Sequence, residues 1–126
     1  MRRLTIPEFH SELKAQGVAS HENFAFKCPL CQTVQSGRDL IDAGAGATFD
    51  DVEKYVGFSC VGRFTNAGSP RKKPDGKPCN WTLGGFFQLH KLEVVDEDGR
   101  VFRRFEPATQ AEAQAHAAKR ASEKVA

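Results

Sequence analysis

The chain has 126 residues, with 18 basic and 16 acidic side chains and a formal charge of +2. That length provides for one domain and one modest core, and no run of 18 apolar residues is present to span a membrane. The near-balance of charge argues against a bulk attraction for nucleic acid, so any such contact has to come from local clustering.

Thr5-Ile6-Pro7-Glu8 reads as a capping box, with Thr at the N-cap and Glu three residues later. It opens a helix in which Phe9 and Leu13 share a face and which Gly17 ends. The stretch Met-Arg-Arg-Leu-Thr-Ile-Pro-Glu carries no apolar h-region of a secretory leader, so the expectation is a cytoplasmic protein with reduced thiols. Phe24 and Phe26 alternate as a strand into Cys28-Pro29-Leu30-Cys31, and Val34 follows the turn. Ser36-Gly37-Arg38-Asp39 repeats the cap pattern before Leu40 and Ile41, and Gly44 stops that short helix. The small-residue run 43–47 reads as a turn, because it lacks the strand-then-helix setting and the Lys of a phosphate loop. Thr48-Phe49-Asp50-Asp51 caps a third helix, with Phe49, Val52 and Val56 at i, i+3 and i+7. Its acidic residues Asp50, Asp51 and Glu53 favour the positive end of the helix dipole.

Residues 58–61 read as a strand. A loop over 63–78 follows, rich in Pro, Gly and basic residues, and 79–83 reads as strand again, with Gly84-Gly85 as a bend. Two further strands, 89–95 and 100–105, flank Asp96-Glu97-Asp98-Gly99 as a hairpin. After Pro107 the segment 108–126 is Ala-rich with good helix propensity and a Lys119/Glu123 pair. It has almost no large apolar residue, so it is expected to pack weakly, fray, or dock on a partner. With 10 Phe, one Trp and few Leu or Ile, the core has to be built from Phe.

The four cysteines carry the strongest signal. Cys28 and Cys31 have the C-x-x-C spacing of a metal-binding knuckle, and Cys60 and Cys79 follow after 28 and 18 intervening residues. Zinc takes four tetrahedral ligands, and an all-thiolate shell without an open position is a structural site. Pro29 suits the knuckle because its φ is fixed and the turn does not need its N–H. Disulfides would need an oxidising compartment, a thioredoxin-like C-x-x-C belongs near a βαβ pattern, and four unrelated buried thiols are the bland alternative. A zinc ribbon offers two knuckles; here the second is split by the 63–78 loop, so His21 or His90 is an alternative to one cysteine. Four thiolates and one Zn²⁺ bring the formal charge near zero, and metal-binding free energy would serve as folding free energy.

The basic loop offers Arg71, Lys72, Lys73 and Lys77, with Arg103 and Arg104 extending the patch and Trp81, Phe86 and Phe87 as stacking faces. That set reads either as a phosphate-contacting arm or as a solvated loop. Phe86 and Phe87 are either a core plug or an exposed anchor for a protein partner. Enzyme signals are poor. The chain has C-P-x-C but no P-C-x-x-C, and its one H-x-E string, His10-Ser11-Glu12, lies on the first helix. There is no G-x-S-x-G and no Walker motif, so the expectation is a non-enzymatic protein.

The strings Phe26-Lys27-Cys28-Pro29-Leu30-Cys31-Gln32-Thr33-Val34-Gln35-Ser36, Cys60-Val61-Gly62-Arg63 and Cys79-Asn80-Trp81-Thr82-Leu83-Gly84-Gly85-Phe86 carry a resemblance. Over roughly residues 5–105 the chain resembles a family of short four-cysteine, zinc-finger-like proteins of phages and prophages. The resemblance implies Cys28, Cys31, Cys60 and Cys79 as the ligands of one structural zinc, in a bacterial cytoplasm. The expected fold is α+β: a small antiparallel sheet with short helices around a split zinc-ribbon-like site in residues 1–107, and a polar helix or frayed tail in 108–126. The expected function is to bind and inhibit a host protein complex, as an anti-defence or anti-CRISPR factor; the alternative is nucleic-acid binding through the 71–77 loop.

Overall fold

The computed structural model describes residues 2–18, 20–83 and 90–125, the last four of them by backbone alone. The chain opens with a strand, β1 (Arg2–Thr5), and then a helix, α1 (Ile6–Lys14). The expected capping box is present: the Thr5 hydroxyl accepts from the Glu8 N–H at 3.3 Å, and the Glu8 carboxylate accepts from the Thr5 N–H at 2.9 Å. β2 (Ala25–Lys27) and β3 (Val34–Ser36) flank the C-x-x-C turn as an antiparallel pair. α2 (Gly37–Asp42) follows, its Asp39 carboxylate accepting from the Ser36 N–H at 2.8 Å. α3 (Phe49–Val52) is a single turn capped by Thr48 and Asp51.

Beyond it lie a 3₁₀ turn (Val61–Phe64), the loop, β4 (Leu92–Val95), β5 (Val101–Arg104), the two-residue β6 (Glu106–Pro107) and α4 (Gln110–Val125). The architecture is α+β, but the strands form two small sheets rather than one antiparallel sheet. One has the order β3-β2-β6 and is antiparallel. The other has the order β1-β4-β5 and is mixed, because β1 runs parallel to β4 with Arg2 opposite Leu92. The hairpin of β4 and β5 is as expected, starting at Leu92; the expected bend at 84–85 and strand residue Leu89 lie outside the described residues.

Three other elements differ from expectation. α3 stops at Val52 instead of running to Val56, since a turn replaces it and Gly57 at φ +68° reverses the chain. Residues 58–61 and 79–83 are not regular strands. They meet at one antiparallel bridge, Ser59 with Thr82, with Cys60 N–H donating to Trp81 O and Leu83 N–H to Phe58 O. A 3₁₀ turn then takes over at Val61 because the chain must turn behind Cys60.

The core is built from Phe, as expected, but also from sulfur. Phe26 and Phe105 pack with Leu13, Leu83 and all four cysteines, and Trp81 stacks on Phe105 at 5.8 Å. A second cluster holds Leu40, Val52 and Val61 under Tyr55 and Phe64. Gln16 is 1% exposed and joins three segments: its Nε2 donates to Ala25 O (2.8 Å) and Ala108 O (3.0 Å), and its Oε1 accepts from Ala25 N–H (2.8 Å). Leucine at this position would leave the buried Ala25 N–H unpaired. Gln16→Leu is expected to lower unfolding stability by about 2–3 kcal/mol, read as a shift of the denaturant midpoint followed by Trp81 fluorescence.

α4 does not fray from the body in its described part. Ala113 and Ala108 bury against Ala25, where small side chains let the helix backbone approach closely. Polar pairs complete the dock. Lys27 pairs with Glu112 at 2.5 Å, Gln114 donates to Gln16 O, His116 Nε2 lies 2.6 Å from Asp39 Oδ2, and Arg120 reaches both Asp39 and Asp42. Burial works against the Asp39 carboxylate. The contacts to His116, the Ser36 N–H and Arg120 outweigh it and hold Asp39 below the usual carboxylate range.

A depressed carboxyl contributes stability above its unfolded value and loses it as pH falls through the folded one. Docking of α4 is therefore expected to persist from neutrality down to about pH 4 and to fail below that, seen as amide-exchange protection lost over residues 110–121. Asp39→Asn should weaken the same protection at neutral pH.

Candidate metal centre

The two halves of the sulfur cluster come from unlike pieces of chain. Cys28 and Cys31 sit on the turn between β2 and β3. Gln32 N–H donates to Cys28 O at 2.8 Å and Cys28 N–H to Thr33 O at 3.1 Å, which closes the turn. Gln32 takes φ +62°, a left-handed conformation rare for a residue with a Cβ. Cys60 and Cys79 lie at the two ends of the segment that the basic loop interrupts. They are held together by Gly62, at whose position a Cβ would lie 2.7 Å from Ala67 Cβ and 2.8 Å from Cys79 N, and still nearer the Cys79 carbonyl oxygen. Only a residue without a side chain lets the two strands of chain approach this closely.

The four Sγ atoms all lie within 4.8 Å of one another, and each cysteine is at most 1% exposed. Cys28 and Cys79 are 3.9 Å apart and Cys31 and Cys60 3.7 Å. Disulfide sulfurs lie at about 2.05 Å, so these are four free thiols. Metal–sulfur bonds of about 2.3 Å in a tetrahedron place sulfurs about 3.8 Å apart, and the observed separations fit that edge length.

The electrostatics call for a cation. Hydrogen bonds from Cys28, Cys60 and the Thr33 hydroxyl push Cys31 strongly down towards the thiolate, while hydrogen bonds to Cys31 and Cys60, with burial, push Cys28 up. Burial pushes Cys79 up to about 12. Four thiols packed together cannot all ionise without a positive charge between them, and a coordinating metal ion would supply that charge.

Polar groups already point at the sulfurs. Thr33 Oγ1 is 3.1 Å from Cys31 Sγ, and both Gln35 Nε2 (3.4 Å) and the Cys79 N–H (3.5 Å) donate to Cys60 Sγ. Gln35 also accepts from the Val61 N–H at 2.7 Å, so it ties the knuckle to the turn after Cys60. Such outer contacts orient metal ligands. Gln16 and Gln35 were not legible as structural residues, because a buried amide has no spacing signature; Gln35 lies between knuckle and helix cap, which is its only sequence cue.

The histidine alternatives are elsewhere. His21 stands edge-on to Phe49 at 4.7 Å, and His90 Nε2 bonds Glu93 at 3.1 Å. The basic loop is exposed but pinned across the centre: the Gly76 N–H donates to Cys31 O at 2.9 Å. Arg71 pairs with Asp75 and donates to the carbonyls of Lys77 and Pro78, so it organises the loop. Lys72, Lys73 and Lys77 are exposed.

Arg103 lies on the outer face of β5 opposite Glu93, whereas Arg104 is half-buried over Phe58 and Phe102. Trp81 is half-buried against the core, with one ring face stacked on Phe105. Phe86 and Phe87 lie outside the described residues. Among the described residues, no helix is long and apolar enough to cross a membrane.

Comparison with curated proteins found no match, and comparison with solved structures found none either. A family model does match, over residues 5–108, a span that contains every cysteine and ends where α4 is about to begin. The chain belongs to the VVA0879-like family.

Proposed function

We propose that the chain is a non-catalytic binding protein whose domain is held together by one structural Zn²⁺ on Cys28, Cys31, Cys60 and Cys79. The observation that carries this reading is the closure of the centre. Four buried sulfurs within 4.8 Å of one another match the ligand number of a filled tetrahedral shell, which supports a structural rather than a catalytic ion. Zinc suits a soft, closed, redox-silent site; iron in the same four-sulfur geometry is the competing occupant. Metal analysis of freshly purified protein should return one zinc per chain, and a red, iron-containing preparation would overturn the assignment.

The partner we propose is a host protein complex that the chain inhibits, as an anti-defence or anti-CRISPR factor of a phage or prophage acting in the bacterial cytoplasm. Its support is the resemblance carried by residues 26–36, 60–63 and 79–86. A tagged full-length chain expressed in phage-infected bacteria should retrieve one specific protein complex. Retrieval of nucleic acid alone, released by modest salt and lost with Lys72→Ala and Lys73→Ala, would favour the nucleic-acid alternative instead.

A further inference from the structure

Two clefts, of about 440 and 240 Å³, share Phe9, His10 and Arg104. Their walls are aromatic: Phe24, Phe26 and Phe49 line the larger one and Phe102 the smaller. Phe102 is 40% exposed and its neighbour Val101 47%, the two large apolar residues most open to solvent among those described. The guanidinium of Arg104 sits at the junction, over the rings of Phe58 and Phe102 at 5.8 and 5.9 Å.

Arg104 is the anomaly. Among the described residues its side chain makes one hydrogen bond, to the backbone carbonyl of Arg103 at 2.9 Å, and no carboxylate pairs with it. Other half-buried cations here do have such partners: Arg120 has Asp39 and Asp42, and Arg38 has Glu22. Burial alone lowers the Arg104 pKa, with no opposing attraction from a nearby acid. A half-desolvated guanidinium among rings, with donors left over, is a receptor for a carboxylate attached to an apolar body.

We propose that this joined cleft is the docking site for an acidic segment of the partner protein, with an aromatic side chain between the phenylalanines and an adjacent carboxylate on Arg104. This rests on the protein-binding reading above. Charge selects the occupant. One guanidinium suits a single carboxylate, whereas Glu53 on the wall of the larger cleft opposes a polyanion such as nucleic acid. β5 is also the outer strand of its sheet among the described residues, so its edge can accompany an extended peptide.

The test is a ¹H–¹⁵N titration of the full-length metal-loaded chain with the blocked dipeptide N-acetyl-Asp-Phe-amide, with N-acetyl-Asn-Phe-amide as control. Saturable shifts centred on residues 102–105 are expected below about 10 mM, with binding about tenfold weaker for the Asn form and for Arg104→Gln. Phe102→Ser, at an exposed position, should weaken binding similarly, and it carries the test if Arg104→Gln disturbs the spectrum of residues 28–36. No saturation, equal affinity for the two dipeptides, or preferential binding of an eight-residue oligothymidylate at these residues would overturn the proposal. If the cleft fails while the tagged chain still retrieves a protein complex, only the cleft is lost; if the tagged chain retrieves none, the binding role itself falls.

Discussion

If the proposed zinc is bound, its removal with a chelator is expected to unfold the domain at room temperature, and Cys60→Ser is expected to do the same without a chelator. A structural zinc contributes about 10–16 kcal/mol to folding, which is as large as the whole net stability of an ordinary domain, about 5–15 kcal/mol. In this chain the thiols occupy the middle of the main core, between Phe26, Phe105, Leu13 and Leu83. The emptied site would hold four buried sulfurs whose protons have few acceptors. Cys60 is the most informative single target, because its sulfur also receives the Gln35 side chain and the Cys79 N–H. Circular dichroism melts with and without chelator, together with metal stoichiometry, decide the matter. A metal-free chain with an unchanged cooperative melt would refute the prediction.

The second large effect is expected from one methyl group. Gly62→Ala would place a Cβ 2.8 Å from Cys79 N and 2.7 Å from Ala67 Cβ, with the Cys79 carbonyl nearer still. The obstacle is mainly backbone, so no side chain can rotate away, and the turn carrying Cys60 must separate from the segment carrying Cys79. A loss of about 3 kcal/mol or more is expected, with weakened metal retention under chelator competition. Gly68→Ala is the matched control. It lies six residues further on, in the loop, and nothing stands within 4 Å of its added Cβ, so its stability should stay within about 0.5 kcal/mol of the parent. If the two substitutions behave alike, the close approach at Gly62 is not a constraint.

Much of the local structure was legible because local chemistry decides it. Thr5 with Glu8, Ser36 with Asp39 and Thr48 with Asp51 each start the helix that their spacing announces. The Asp96–Gly99 turn likewise sits between β4 and β5, with Gly99 at φ +81°. The sulfur cluster was also legible, since C-x-x-C closes one half of it within four residues.

What distant contacts decide was hidden. β1 reads as Arg-Arg-Leu-Thr, without the apolar alternation of a strand, and exists because β4 pairs with it. The stretches 58–61 and 79–83 looked like strands because they are apolar and β-branched. Their backbones are instead bent to bring two sulfurs to one point, leaving a single bridge. α4 lacks large apolar residues, so its dock was invisible: it relies on Ala113 and on carboxylates of α2, one of which doubles as a helix cap. Arg104 looked like one more member of a basic patch until its register on β5 placed it among the rings.

The parallel pairing of the first strand with a partner some 90 positions later sets an order on assembly. While the ribosome has delivered only the early part of the chain, residues 2–5 have nothing to pair with. An ion clasping Cys28 to Cys79 would short-circuit the intervening stretch to less than half its contour, reducing the entropic cost of closure by about 0.8 kcal/mol. On this view the sulfur centre gathers before the amino-terminal strand can join its partner at residues 92–95.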